Sequence, residues 1–337
     1  MPNNKIEIIA EIGVNHNGDY LTAKKLINAA KKSGADFVKF QIFNVDQYIT
    51  KNAPQAKYQI KNLRKKTNQY DMIKKLELKE NEFSKLVNFC KKKKIRFLAS
   101  CFDIKSLNFY EKFKPKYYKV PSGEITNLPL LTEIGKKKGK VLLSTGMSTM
   151  KEIQDALNIL LKKGTKKKDI TILQCTTDYP CKLSDINLLV IPELFKKFQC
   201  RVGFSDHSSN LYTSAAAVVL GAKVIEKHLT LSKHLPGPDH KASLDIIQFK
   251  NFVSIIRDTY KSLGSKKKIP TRNEKKNLIV ARKSIVAIKK ISKGEKFSFT
   301  NLGVKRPGKG INPMKIKNII GKRAKKNYLP DSLIKIN

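Results

Sequence analysis

The sequence of 337 residues contains no tryptophan, only five cysteines and only five histidines. The cysteines form no CxxC pair and are odd in number, which argues against a disulfide framework or a structural zinc site. No apolar run approaches the roughly 20 residues that a membrane-spanning helix needs, and the N-terminal residues show no signal-peptide pattern. These absences predict a cytoplasmic protein with reduced thiols and no membrane partner.

Acidic residues are also scarce, since 27 Asp and Glu stand against 69 Lys and Arg, giving a formal net charge of +42. A surplus of this size raises the alternative of a polyanion partner, because basic patches release counterions from nucleic-acid phosphates. The lysines, however, form short clusters such as 91–94 and 166–168, at the ends of helical patterns or in loops. No nucleic-acid-binding motif accompanies them. We interpret the charge as a lysine-rich surface that attracts anionic substrates, and we expect no nucleic-acid partner.

Short apolar runs alternate with amphipathic helical patterns over roughly the first 265 residues. Eight such runs, rich in Ile, Val and Phe, begin at Ile6, Asp36, Ile95, Tyr117, Lys140, Asp169, Arg201 and Lys223. Buried runs that alternate with helices are typical of parallel strands with crossover helices. Eight units predict a (β/α)₈ TIM barrel. An open, doubly wound sheet is the alternative, which the absence of a GxGxxG turn disfavours.

A basic, polar segment interrupts this alternation, and it suggests a division of the chain. We predict a barrel domain over residues 1–264, a linker over 265–280 and a small β-rich domain over 281–337. The last part contains short strand-like pieces separated by Lys-Gly and Pro-Gly turns. A domain of about 57 residues is near the lower limit for an independent core, so we expect it to dock on a partner.

Polar side chains end nearly every predicted strand, where barrel enzymes carry their reacting groups. The candidates are Glu11, Lys39, Gln41, Ser100, Lys119, Ser122, Glu124, Thr177, Tyr179, Ser205, His207, Glu226 and His228. Lys39 and Lys119 lie inside apolar runs, where burial of an unpaired ammonium group is costly. Two such lysines at one barrel mouth suit the phosphate and the carboxylate of a single ligand. The alternative is a structural ion pair of either lysine with Glu11 or Glu124.

Two histidines, His207 and His228, end adjacent predicted strands. Neutral imidazoles suit a divalent first-row metal, with water or carboxylates completing an open site. Either histidine alone fits a structural role, but their shared position beside Asp206 and Glu226 favours a metal site. The Pro-Gly-Pro turn after the last strand presents Asp239 at the same rim, and a structural loop tip is its alternative interpretation.

Nine short motifs follow one another from Ala10 to Met314, within a resemblance that runs from Ile8 to about Asp331. They are AEIGVNHNGD, FVKFQ, YKVPSGEITNLPLL, LSTGM, CTTDYP, GFSDH, EKHLTL, PGPDHKAS and KRPGKGINPM. Together they resemble the sialic acid (N-acetylneuraminate) synthase family. The resemblance implies a (β/α)₈ barrel followed by a small antifreeze-like (SAF) domain. It also implies a divalent metal, manganese or magnesium. The implied assembly is a domain-swapped homodimer in which the small domain of one chain covers the barrel mouth of the other.

The resemblance further implies a role for each candidate residue. The metal would be held by His207 and His228, with Glu226 beside it through a water molecule. Phosphoenolpyruvate would be held by Lys39, Lys119, Ser100, Ser122 and Ser205. The sugar would face Glu11, Gln41, Glu124, Thr177, Tyr179 and Asp239. Arg306 would reach the N-acyl group of the sugar in the partner chain, and Glu11 and Glu124 are the candidates for proton transfer.

The implied reaction joins phosphoenolpyruvate, an N-acylated amino sugar such as N-acetylmannosamine, and water to give N-acetylneuraminate and phosphate. Three departures from the family pattern limit how far the identity of the sugar and the conformation of the loops after the strands can be transferred from the family. Ser100-Cys101-Phe102 replaces a common Thr-Pro-Phe, Gln174 stands where histidine is frequent, and Thr177 stands where some members carry asparagine.

The motif CTTDYP is at least as similar to the legionaminic acid branch, whose substrate is 2,4-diacetamido-2,4,6-trideoxymannose. The pseudaminic acid branch ranks third. Two alternatives of another class also stay open at this point. One is a polyanion-binding protein on an inactive synthase scaffold. The other is an aldolase that forms a Schiff base through Lys39 or Lys119.

Overall fold

The computed structural model describes residues 6–63 and 67–336, and the chain divides into two compact units, 1–264 and 265–337. The first unit contains a closed barrel of eight parallel strands paired in chain order, which confirms the predicted TIM barrel. The strands are β1 (Glu7–Gly13), β2 (Phe37–Ile42), β3 (Arg96–Cys101), β4 (Tyr117–Val120), β5 (Lys140–Ser144), β6 (Ile170–Cys175), β7 (Arg201–Asp206) and β8 (Val224–His228).

Helices connect successive strands, as the alternating pattern predicts. They are α1 (Tyr20–Lys32), α5 (Glu80–Lys92), α6 (Ile104–Glu111), α7 (Leu128–Lys136), α8 (Met150–Lys162), α9 (Val190–Phe198), α10 (Thr213–Val219) and α11 (Ile246–Ser262). Helix α8 shows why they form: Thr149 and Glu152 make a capping box at its start, and Ile153, Leu157 and Leu160 bury one face. Burial of that stripe fixes the helix against its neighbours.

The period-two pattern of the strands builds two layers inside the barrel. The lower layer is apolar and contains Ile9, Phe37, Leu98, Leu142, Leu173 and Val224, with Tyr117 packed against them. Two residues further along the strands, the same inward-facing positions hold Glu11, Lys39, Ser100, Lys119, Ser144, Cys175 and Glu226. The barrel is therefore closed by apolar packing below and carries ionisable groups at its carboxyl-terminal mouth.

The segment between β2 and α5 contains helices that were not predicted from the sequence. In its described residues these are three short helices, α2 (Val45–Tyr48), α3 (Lys57–Leu63) and α4 (Gln69–Lys74). We call residues 45–74 the insertion. Because it follows the carboxyl end of β2, it starts at the barrel mouth.

The second unit contains helix α12 (Arg272–Ala281) and an antiparallel pair, β9 (Ser284–Ala287) and β10 (Leu302–Lys305). Its own apolar cluster includes Ile285, Phe297 and Tyr328, which agrees with the predicted small β-rich domain. Helix α12 occupies most of the second half of the segment predicted as a linker and ends one residue beyond it. A capping box of Thr271 and Glu274 starts the helix. Within the described parts of the chain, no helix is long and apolar enough to cross a membrane.

Candidate active site

Two lysines and two glutamates, which we call the floor cluster, lie at the base of the barrel mouth. Lys39 Nζ is 3.4 Å from Glu11 Oε2 and 3.2 Å from Glu226 Oε1. Lys119 Nζ donates to both carboxylate oxygens of Glu226 at 3.0 Å. Their side chains are at most 5% exposed. Each of these charges therefore depends on its partners, because an uncompensated buried charge is very costly.

The pKa values in the floor cluster follow from this arrangement. Burial raises the pKa of Glu11 to about 7, against the opposing effect of Lys39. Burial acts the same way on Glu226, but Lys119 and Lys39 outweigh it and hold the pKa of that carboxyl well below its usual range. Glu226 is therefore the permanent counterion of the two lysines. Glu11 is the carboxyl group that can exchange a proton near neutral pH.

Glu226 also has a hydrogen-bond partner on β7. Besides the two lysines, its Oε1 accepts a hydrogen bond from Ser205 Oγ at 3.0 Å. The sequence left open that either lysine forms an ion pair with Glu11 or Glu124. In the structure Lys39 pairs with Glu11 and Glu226, and Lys119 pairs with Glu226, whereas neither pairs with Glu124. Strand register explains the pairing, because Ser205 stands opposite Glu226 and Glu11 stands opposite Lys39.

The serine hydroxyls predicted to hold phosphoenolpyruvate surround the floor cluster. Lys39 Nζ donates to Ser100 Oγ at 3.2 Å. Ser122 Oγ accepts from the backbone N–H of Gly146 at 3.0 Å, and Ser122 is the second residue after the end of β4. Hydroxyl and ammonium donors around one buried point can bind the oxygens of an anion.

The two histidines predicted as metal ligands lie side by side, with ring centroids 5.5 Å apart. His207 Nδ1 is 2.7 Å from the carbonyl oxygen of Thr176, so Nδ1 carries a proton and, in the neutral ring, Nε2 keeps its lone pair. Burial, and then the neighbouring His207, hold the pKa of His228 well below its usual value, so this ring is neutral. Its Nδ1 is buried and has no hydrogen-bond partner among the described residues. Both rings therefore suit a divalent cation.

A cation here would take most of its ligands from outside the chain. Over residues 6–63 and 67–336, no group of three or more His, Cys, Asp or Glu side chains is arranged to hold a metal ion. His207 and His228 would supply two ligands, and water or substrate oxygens the others. Such an open site is typical of catalytic rather than structural metals.

The remaining predicted residues lie above the floor cluster. Gln41 Nε2 donates to Glu11 Oε1 at 3.4 Å. The ring of Tyr179 lies 4.2 Å from that of His207 between centroids. Thr177 Oγ1 is buried and has no hydrogen-bond partner in the described part of the chain. Burial raises the pKa of Asp239 to about 6.

These groups share one pocket of about 400 Å³. The predicted site residues that line it are Glu11, Lys39, Gln41, Ser100, Lys119, Ser122, Thr177, Tyr179, Ser205, His207, Glu226, His228 and Asp239. Glu124 is absent from this lining, and its carboxylate accepts from Asn127 Nδ2 at 2.6 Å. Arg306 belongs to the second unit, where its Nε donates to the carbonyl oxygen of Ala281 at 3.0 Å.

Asp206, expected beside the histidines, points out of the barrel. It forms a fully buried ion pair with Lys227 at 3.0 Å and accepts hydrogen bonds from Ser208, Thr213 and Ser214. The alternation of strand side chains explains this, because Ser205 faces inward and its neighbour must face the helices. The pair holds the loop after His207 rather than contacting substrate.

A second hydrogen-bonded network holds Asp239 at the rim. Asn17 Nδ2 donates to the carbonyl oxygen of Pro236 at 2.8 Å, and His240 Nε2 lies 3.2 Å from Asn17 Oδ1. Ser243 Oγ donates to the carbonyl oxygen of Asp239 at 2.7 Å. The loop after β1 therefore fixes the loop after β8.

Six pocket residues come from the insertion and were not predicted from the sequence. These are Tyr48, Ala56, Tyr58, Gln59, Gln69 and Ile73. No strand pattern marks them. The signal that could have found them is the length of chain between β2 and α5, since long loops at a barrel mouth are often functional.

Comparisons with known proteins show the family of the chain. The NeuB family model matches residues 26–268, and the SAF domain model matches residues 282–337. The chain is 47% identical over 331 residues to the N,N'-diacetyllegionaminic acid synthase of Campylobacter jejuni, covering 98% of this chain and 99% of that protein. It is 36% identical to the human N-acetylneuraminate-9-phosphate synthase, covering 94% of this chain and 88% of that protein.

A solved structure is similar as well. The N-acetylneuraminic acid (sialic acid) synthetase of Leptospira borgpetersenii, in complex with citrate, superposes with a TM-score of 0.72 at 30% identity. The match covers 82% of this chain and 91% of that one. The resemblance read from the motifs is thereby confirmed. The chain belongs to the NeuB family of sialic-acid-type synthases, transferases that form a carbon–carbon bond from phosphoenolpyruvate, and it carries a SAF domain.

Proposed function

We propose that the protein condenses phosphoenolpyruvate with 2,4-diacetamido-2,4,6-trideoxymannose and water, giving N,N'-diacetyllegionaminate and phosphate. The observation that carries the reaction class is the buried lysine pair of Lys39 and Lys119 in the same pocket as the pair of histidines. The choice of sugar rests on the 47% identity to the Campylobacter jejuni protein of that name.

The floor cluster is suited to hold phosphoenolpyruvate. An incoming carboxylate or phosphate competes with Glu226 for the ammonium groups of Lys39 and Lys119, while the hydroxyls of Ser100 and Ser122 can donate to its remaining oxygens. Because the lysines are already buried and oriented by Glu226, little reorganisation is needed when the anion binds. The positive charge of the whole surface attracts that anion.

His207 and His228 would hold a divalent cation, manganese or magnesium, which when bound polarises a carbonyl oxygen as a Lewis acid. His207 is prepared for this role by its Nδ1–H donation to the Thr176 carbonyl, which fixes the ring and leaves Nε2 as the ligand atom. Tyr179 packs against both rings and limits their rotation.

The chemical step forms the bond between C3 of phosphoenolpyruvate and the C1 aldehyde of the open-chain sugar. Water then adds to C2, and phosphate leaves by cleavage of its C–O bond. The water oxygen becomes the ketone oxygen at C2, so the water loses both of its protons. One proton is gained by the former aldehyde oxygen, and the other leaves with the phosphate. Glu11 is the side chain we assign to proton transfer, since its pKa of about 7 allows both protonation states at neutral pH. Glu124, whose pKa burial also raises, is the second candidate.

The domain boundaries, the dimer and the compartment belong to the proposal too. We assign residues 1–264 to the synthase barrel, 265–280 to a linker and 281–337 to the SAF domain. In a domain-swapped homodimer, Arg306 of one chain would approach the sugar in the pocket of the other. The cysteines of the described chain are free and buried, which supports a cytoplasmic location where thiols stay reduced.

N-acetylmannosamine, placed first by the sequence analysis, becomes the second candidate sugar. The similarity to the Leptospira borgpetersenii protein named N-acetylneuraminic acid synthetase favours it, at 30% identity. The higher identity to proteins named for N,N'-diacetyllegionaminic acid, 47% and 42%, moves the preference to the diacetamido sugar.

The test is phosphate release from phosphoenolpyruvate with Mn²⁺, offered the two sugars in parallel, with an EDTA control. We expect higher kcat/KM with the diacetamido sugar and no release in EDTA. Lys119→Ala should lose activity, whereas Lys116→Ala, an exposed lysine outside the pocket, should keep it. A higher kcat/KM with N-acetylmannosamine would show that the proposed sugar is wrong.

Two further measurements address the alternatives of another class. Borohydride trapping with pyruvate should give no adduct, because the reaction needs no Schiff base; an adduct on Lys39 or Lys119 would indicate an aldolase. Binding to heparin should vanish as salt rises, since nonspecific attraction is screened. Heparin binding that survives high salt, in protein without synthase activity, would support the polyanion-binding alternative.

A further inference from the structure

The outer wall of the pocket is built by the insertion, which the reaction described above does not use. Tyr48, Tyr58, Gln59, Gln69 and Ile73 all line the pocket. The lysines and histidines at strand ends receive phosphoenolpyruvate and C1 of the sugar. The ring of Tyr58 lies 5.1 Å from that of Tyr179 between centroids, and Tyr179 in turn lies 4.2 Å from His207. Tyr179 therefore links Tyr58 to the histidines, which places the wall next to the part of the sugar that follows C1.

Two phenol groups of this wall remain hydrogen-bond donors. Burial, and then the charge of Glu124, raise the pKa of Tyr48 above its usual value. Burial, and then the charge of Asp239, raise the pKa of Tyr58 in the same way. Both hydroxyls therefore stay protonated at physiological pH, and each lies within the field of a carboxyl group at the site.

The carboxamides of the wall differ in how firmly they are held. Gln59 Oε1 accepts from the backbone N–H of Ala56 at 2.9 Å, and its Nε2 is 3.4 Å from the Tyr58 hydroxyl. Gln69 lines the pocket, and its carboxamide has no hydrogen-bond partner in the part of the chain that the structure describes. Gln69 can therefore offer a donor and an acceptor to a ligand, as an amide group requires.

The rest of the wall is apolar. Tyr48 packs against Phe102 with ring centroids 4.7 Å apart, and Val14 and Ile73 line the pocket with them. Such a surface favours methyl groups and disfavours hydroxyl groups, which would lose their water without gaining partners.

We propose that the insertion selects the sugar: Tyr58 and Gln69 bind the acetamido group at C4, and the apolar surface around Tyr48 receives the methyl group at C6. This inference rests on the proposed function. The diacetamido sugar differs from N-acetylmannosamine by a second amide in place of a hydroxyl and by a methyl in place of a hydroxymethyl. The wall provides one complementary feature for each difference, which is how a site discriminates between similar substrates.

The experiment compares wild type with Tyr58→Phe, which removes one hydroxyl, and with Gln69→Ala. Tyr70→Phe is the matched control, because Tyr70 lies on the same insertion outside the pocket and its hydroxyl bonds to Asp46. For each protein, kcat/KM is measured with 2,4-diacetamido-2,4,6-trideoxymannose and with N-acetylmannosamine, together with KM for phosphoenolpyruvate.

We expect Tyr58→Phe and Gln69→Ala each to lower kcat/KM for the diacetamido sugar by about tenfold, as loss of a buried hydrogen bond predicts. The value for N-acetylmannosamine should change less than about twofold, and KM for phosphoenolpyruvate should stay constant, as should every value for Tyr70→Phe. Equal losses with both sugars would overturn the inference while leaving the proposed function standing. A wild type that prefers N-acetylmannosamine would overturn both.

Discussion

Substitution of Glu226 by glutamine tests the electrostatic design of the floor cluster. The change keeps the shape of the side chain but removes the negative charge that lies 3.0 Å from Lys119 Nζ and 3.2 Å from Lys39 Nζ. At an effective dielectric constant of about 20, each of these pairs corresponds to about 5 kcal/mol of gross Coulomb energy. Loss of a proton from Lys119 and ionisation of Glu11 can offset much of this. We therefore expect a net loss of about 3–5 kcal/mol in the free energy of unfolding.

The assay is thermal unfolding in buffer without phosphate or other multivalent anions. A loss of this size should lower the unfolding midpoint by about 10 °C in a barrel of this length. Glu133→Gln is the matched control. This half-exposed residue of α7 forms an ion pair with Lys136 one helix turn away, so its substitution should leave the midpoint unchanged.

Phosphoenolpyruvate supplies the decisive comparison. If the ligand occupies the lysines that Glu226 neutralises, saturating phosphoenolpyruvate should raise the midpoint of Glu226→Gln more than that of wild type, since it restores the missing negative charge. Two results would refute the view that Glu226 is the counterion of the two lysines. One is an unfolding midpoint of Glu226→Gln within about 2 °C of wild type; the other is a rise in midpoint with phosphoenolpyruvate that is no larger than the rise in wild type.

Two further predictions concern the metal and the pH dependence. His228→Ala should abolish turnover and weaken Mn²⁺ binding, as electron paramagnetic resonance can measure. If metal-dependent activity survives this substitution, the histidine pair does not hold the metal. Burial raises the pKa of Asp239 to about 6, so its carboxylate is the dominant form only above that pH. If that carboxylate accepts hydrogen bonds from the sugar, KM for the sugar should rise as pH falls through about 6, as steady-state kinetics can show. Asp239→Asn should have a raised KM without this pH dependence, and an unchanged dependence in the variant would assign it to another group.

Much of the fold was predictable because it depends on local patterns. The eight apolar runs became the eight barrel strands, since a buried parallel strand needs a continuous apolar sequence. The site residues could be proposed because barrel topology brings all carboxyl ends of strands to one face. Lys39 and Lys119 stood out for a simple reason: lysine inside an apolar run requires a partner.

Glu11 was named from the sequence as a possible partner of the lysines, but the carboxylate that pairs with both lysines was not predicted. Glu226 is 107 residues from Lys119 in the chain, and only closure of the barrel brings them together. Asp206 was expected in the site but faces the helices, because the strand register at β7 decided its direction. The pocket residues of the insertion were not predicted, because they lie in or beside short helices and not at the end of an apolar strand pattern.

The sequence by itself therefore determined the barrel, the family and the set of chemical groups available at the mouth, because periodicity and motif spacing are local properties of the chain. The tertiary structure alone decided which carboxylate neutralises the lysines, which one keeps a pKa near neutrality, and which side chains wall the far end of the pocket. The physical reason is that charge pairing and burial act between residues distant in sequence, and their strength depends on distances of a few ångströms that only the closed fold sets.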